Sequence, residues 1–128
     1  MKKKSIETMC ASQILLNNNK STPSVHCSYY AVFQYMKYML SQTTDRPIPY
    51  ENQQSDNLGV HDFVIGEIKN RINNRALKRQ FCDGIRELKQ ARVQADYLEK
   101  EFSLEEGLRC KQNAEGLITN LKTDFGNI

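Results

Sequence analysis

An all-α fold, an antiparallel bundle of about five helices, is predicted by three observations on the chain. Apolar residues recur at three- and four-residue intervals in five separate stretches, the period that lines one face of an α-helix. Helix-breaking or helix-capping residues stand between them: Asn17-Asn18-Asn19, Pro23, Pro47, Pro49, Asn73-Asn74 and Ser103. No stretch alternates polar and apolar residues as a half-buried strand does, and no internal repeat is present.

The first stretch, residues 5 to about 19, places Ile6, Met9, Cys10, Ile14 and Leu15 at helical spacing, with Ser5 as its N-cap. Thr22 followed by Pro23 predicts a restart, because Pro suits the first helical position, where no amide hydrogen is needed. From there to about Ser41, Val25, Tyr29, Val32, Met36, Met39 and Leu40 form a core-facing stripe. Tyr30, Phe33 and Tyr38 lie off that line, so this helix is apolar over a wide arc and belongs at the centre, against several neighbours or a second subunit.

Residues 42 to about 57 are polar and aperiodic, which predicts a long loop within a single domain spanning residues 1–128. Leu58 to Asn73 resumes a helix with Val64, Ile65, Ile68 and Ile72 inward and Asn73-Asn74 as its stop. Leu77, Phe81, Ile85, Leu88, Ala91, Ala95 and Leu98 then hold helical register long enough to cross a small domain. Ser103-Leu104-Glu105-Glu106 has capping-box spacing, because the Ser hydroxyl and the Glu carboxylate each satisfy a free backbone amide of the other. The last stripe runs Leu104, Leu108, Ala114, Leu117, Ile118, Leu121 and Phe125, ending at Gly126.

Composition excludes several classes. A hydrophobic fraction of 39% and a charged fraction of 26% suit a globular protein of 128 residues. The basic start Met1-Lys2-Lys3-Lys4 is not followed by an apolar signal region, since Glu7, Ser12, Gln13 and Asn17 interrupt it, and a cytoplasmic protein is expected. No segment approaches the roughly 18 apolar residues of a spanning helix. Cys10, Cys27, Cys82 and Cys110 lack paired metal-ligand spacing and are expected to be reduced thiols. Glycine-rich phosphate loops, nucleophile elbows and paired metal-binding carboxylates are absent from the sequence, so neither a metal nor a cofactor is implied.

Charge is unevenly distributed. Between residues 66 and 92, Lys69, Arg71, Arg75, Lys78, Arg79, Arg86, Lys89 and Arg92 face only Glu67, Asp83 and Glu87, while residues 93–128 are net acidic. The basic segment can attract phosphates, although charged runs also serve as solvated helix faces.

Two clusters hold the candidate site residues. Arg92 follows Leu88 by four residues, so its stem runs beside the apolar face and its guanidinium seeks an anion. A surface pair with Asp96, worth roughly 0.3 to 0.5 kcal/mol, is one reading. The other is a planar fork offered to a phosphate, helped by Tyr29, Tyr30 or Tyr97.

Tyr29-Tyr30-Ala31-Val32-Phe33 on an early helix, then Arg92 with Ala95-Asp96-Tyr97 on a late one, then the capped Ser103-Leu104-Glu105-Glu106, resemble in order and spacing the HEPN family of small helical-bundle proteins. The resemblance covers about residues 5 to 125. It implies RNA or nucleotide binding, a homodimer, and membership of a toxin–antitoxin system with a nucleotidyltransferase-type antitoxin as partner. In HEPN ribonucleases a His follows the Arg after an interval of four to six residues, whereas here positions 97, 98 and 99 are Tyr, Leu and Glu. Such an enzyme needs groups that take and give protons near neutrality, and Asp and Tyr titrate near about 3.9 and 10. Catalysis therefore ranks below binding, with a weak metal-independent ribonuclease toxin as the alternative and a protein-interaction module as a third reading. That alternative needs His26 or His61, which are distant in sequence, to reach Arg92 across the bundle.

Overall fold

The computed structural model describes residues 1–55 and 57–125. Five α-helices follow one another: α1 (Lys2–Asn17), α2 (Ser21–Gln42), α3 (Val60–Arg71), α4 (Arg75–Tyr97) and α5 (Leu104–Phe125), with a short 3₁₀ turn at Tyr50–Asn52. All regular structure among the described residues is helical, as the apolar periodicity predicts. No helix of the described residues is long and apolar enough to cross a membrane. The expected stop at Gly126 lies outside the described residues.

α2 touches α1, α3, α4 and α5, which explains why it is apolar over so wide an arc. Tyr29, Val32, Met36, Met39 and Leu40 are fully buried, and off the main stripe Phe33 and Tyr35 are buried too. Val64, Ile68 and Ile72 from α3, Phe81, Ile85 and Leu88 from α4, and Ala114, Leu117 and Leu121 from α5 complete the same core.

α1 differs from its sequence-based expectation. Its helix starts at Lys2, with Met1 rather than Ser5 at the cap. Ser5, Ser12 and Leu16 face inward, while Ile6, Cys10 and Ile14 are exposed. The reason is close packing on α2 through small hydroxyl residues, each buried hydroxyl finding a partner as burial requires. Ser5 Oγ donates to the Ala31 carbonyl at 2.6 Å, and Ser12 Oγ donates to the Ser24 carbonyl at 3.0 Å and lies 2.7 Å from Ser28 Oγ. Apolar periodicity is blind to such a face because serine counts as polar.

The other boundaries shift for similar reasons. α2 begins at Ser21, and the Thr22 hydroxyl accepts the Phe102 amide at 2.9 Å instead of capping its own helix. α3 begins at Val60, leaving Leu58 exposed, and ends at Arg71, before the expected Asn stop. Asn74 instead opens α4, its side chain accepting the Leu77 amide at 3.1 Å. The capping box of α5 forms as predicted, with Ser103 Oγ accepting the Glu106 amide and Glu106 Oε1 accepting the Ser103 amide, both at 3.1 Å. Leu104 and Leu108 point outward, however, because the α5 backbone approaches the α1–α2 turn at Gly107. A Cβ there would lie 2.8 Å from Leu16 Cδ2.

The long loop after α2 is tied to the bundle at two points. Gln53 Nε2 donates to the Lys37 and Ile48 carbonyls at 2.8 and 2.9 Å. Arg71 donates to Thr43 Oγ1 at 3.1 Å and to the Asp45 and Arg46 carbonyls at 2.7 Å each.

Candidate functional site

Near the end of α4 the inward stripe changes character. Phe81, Ile85 and Leu88 are followed at the next inward position by Arg92, which is only 7% exposed, while Leu98 turns to solvent. An arginine in such a place needs a polarisable surface and an anion. The surface is aromatic: the guanidinium carbon lies 5.1 Å from the Tyr29 ring centre, 5.7 Å from Tyr30 and 5.8 Å from Tyr97. The anion is incompletely supplied. Asp96 Oδ2, one turn on, is 3.6 Å from Arg92 Nη1, too long for a direct hydrogen bond, and Arg92 Nε is buried with no hydrogen-bond partner.

Asp96 is bound more closely by another residue. His26 Nδ1, from α2, lies 2.8 Å from the same Oδ2. The His26 ring packs at 4.6 Å on Tyr30, and its side chain remains 46% exposed. A carboxylate holding one imidazole nitrogen fixes the ring's orientation and leaves the other nitrogen for a ligand.

His61, from the first turn of α3, joins the cluster through Tyr29. Its Nδ1 is 2.7 Å from the Tyr29 hydroxyl, and its ring stacks on Phe33 with centroids 4.2 Å apart. Burial pushes the Tyr29 phenol well above its ordinary range, so it stays protonated. Burial, followed by the positive charge of Arg92 and Lys89, holds the His61 imidazole below its ordinary value of 6.5. A neutral His61 therefore accepts the Tyr29 proton at Nδ1 and carries its own hydrogen on Nε2. Beside it, Lys89 Nζ bonds Asp62 Oδ1 at 2.6 Å, which keeps the Asp62 carboxyl below its usual range.

The seven residues singled out from sequence, His26, Tyr29, Tyr30, His61, Arg92, Asp96 and Tyr97, thus share one connected cluster. Their exposure is graded: Tyr97 is 73% exposed, whereas Arg92 lies beneath. Sequence reasoning missed Phe33 as the platform for His61 and the Asp62–Lys89 pair. Phe33 was legible in principle, since it follows Tyr29 by four residues and so shares its helix face. The Asp62–Lys89 pair joins two helices and leaves no sequence spacing to read. No group of His, Cys, Asp and Glu among the described residues is arranged to hold a metal ion.

Among known proteins, no curated protein and no solved structure matches the chain. The family model described as HEPN domain matches residues 1–123. With nearly the whole chain matched, and with a helical bundle carrying the tyrosine pair and the late arginine in one cluster, the chain belongs to the HEPN domain family.

Proposed function

We propose that the protein binds RNA or a nucleotide through a phosphate at the Arg92 cluster. The observation that carries this reading is the half-paired Arg92: a buried guanidinium with an unpartnered Nε, and a carboxylate at 3.6 Å that His26 already engages. A phosphate supplies the missing acceptors, and Arg is suited to hold it because its planar fork matches two phosphate oxygens. Tyr97 and His26, the exposed members, meet the ligand first, Tyr97 offering a ring face to a base. Family membership supports a homodimer, since HEPN domains often dimerise, and the proposed protein partner is a nucleotidyltransferase-type antitoxin.

Binding of a short labelled RNA and of ATP to the wild type, Arg92→Lys and Arg92→Ala tests the reading. Binding in the wild type that weakens with salt and falls about tenfold or more in Arg92→Ala is expected, a loss near 1.4 kcal/mol or above. Equal binding in folded variants, or none in the wild type, contradicts it. Light scattering across a dilution series checks the dimer, which a monomer at every concentration contradicts.

A ribonuclease reading is favoured by one observation: His26 and Arg92 meet on the same Asp96 oxygen, so an imidazole and a guanidinium stand together without the usual sequence spacing. In that reading His26, oriented by Asp96, is the proton-transfer group and Arg92 the charge stabiliser. RNA cleavage in EDTA that disappears in His26→Ala supports it. Intact RNA after prolonged incubation with the wild type rules it out.

A further inference from the structure

A groove of about 590 Å³ opens between α3 and α4, outside the ring of aromatic residues around Arg92. Ile65, Ile85 and Cys82 give it an apolar floor, and Lys69, Arg86 and Lys89 line its sides. Along α4, positions 75, 79, 82, 86, 89 and 93 repeat at alternating four- and three-residue steps. Arg75, Arg79, Arg86 and Lys89 therefore share one face with the groove-lining Cys82 and Val93. From Arg75 to Lys89 this face extends about 21 Å at 1.5 Å per residue.

Acidic residues offset the row only in part. Asp83 holds Arg86 at 2.7 Å and Asp62 holds Lys89 at 2.6 Å. Lys69, Arg75 and Arg79 are exposed and take part in no ion pair among the described residues. Asp62, at one end of the groove, is the chain neighbour of His61, so the groove adjoins the Arg92 cluster.

Resting on the reading that the Arg92 cluster takes a phosphate, we infer that the α3–α4 groove is a second site, a track for the backbone of single-stranded RNA that extends away from that cluster. A row of cations at helical repeat matches a polyanion rather than a single charge, and the apolar floor receives the flat faces of unpaired bases. The occupant is therefore a strand several nucleotides long, which binds in proportion to its length.

Fluorescence anisotropy with labelled oligouridylates of 4 and 12 nucleotides tests this, comparing the wild type with the triple variant Lys69→Gln, Arg79→Gln, Arg86→Gln. These side chains are exposed, and circular dichroism checks that the helices are retained. The wild type is expected to bind the 12-mer at least tenfold more tightly than the 4-mer. In the triple variant that advantage disappears, the 4-mer affinity stays within twofold, and the salt slope for the 12-mer falls by about 2, at roughly 0.7 per phosphate contact. An unchanged length advantage in the triple variant overturns the inference. So does displacement of the 12-mer by oligoglutamate of equal charge as readily as by unlabelled RNA, which would mark the groove as a site for acidic protein. The two sites fail separately. A 4-mer that binds through Arg92 with no gain at 12 nucleotides removes the groove alone, a groove-dependent 12-mer without 4-mer binding removes the Arg92 site alone, and absence of all binding removes both.

Discussion

Arg92 illustrates how one residue can serve the fold and the site at once. Its guanidinium caps the aromatic end of the core over Tyr29 and Tyr30, so Arg92→Ala removes packing as well as charge. Arg92→Ala is expected to cost about 1–3 kcal/mol in denaturant unfolding, mainly through the lost packing on the tyrosine rings, since Asp96 keeps His26 as its partner. His61 gives a pH signature. Its imidazole is held below 6.5 in the folded protein, so the unfolded chain takes up a proton first as the solution is acidified. The contribution of neutral His61 is complete above about pH 6.5 and is lost as pH falls below it, towards the folded value. Thermal unfolding between pH 7.5 and 5 should therefore show a drop in Tm that is smaller in His61→Gln. An equal drop in both proteins contradicts the assignment.

Among the elements, α1 and α3 make opposite predictions. The buried hydroxyl chain of Ser12 and Ser28 holds α1 on α2, and Ser12→Ala leaves the buried Ser28 hydroxyl and the Ser24 carbonyl without that partner, with an expected loss of about 1–3 kcal/mol. In α3, Gly66 occupies a helix interior, and a Cβ added there meets nothing within 4 Å. Gly66→Ala should raise stability by about 0.5–1 kcal/mol through helix propensity. Denaturant midpoints with an unchanged slope check both. What was legible in the sequence follows the same division. The inward stripes of α2, α3 and the middle of α4 are legible because they bury large side chains at helical spacing, although the ends of α2 and α3 are not. The serine face of α1 and the close approach at Gly107 depend on the absence of bulk, which an apolar pattern does not register.

For the whole molecule, α2 is the element that packs against all four other helices. Met36 is fully buried where the helices meet, and Met36→Ala should cost about 2–5 kcal/mol. The candidate site depends on that centre: α2 supplies His26, Tyr29 and Tyr30, α3 supplies His61, and α4 supplies Arg92, Asp96 and Tyr97. Helical register and the family resemblance single out Tyr29, Tyr30, Arg92, Asp96 and Tyr97, and His26 and His61 stand out as the two histidines of the chain. The sequence leaves open whether either histidine reaches Arg92, since that distance is fixed by packing alone. The most direct test of the central claim is the Arg92 Nε–H resonance, followed by NMR during titration with a short single-stranded RNA. A saturable shift of that resonance, together with the imidazole signals of His26, is expected. Binding that leaves Arg92 and His26 unmoved would contradict it.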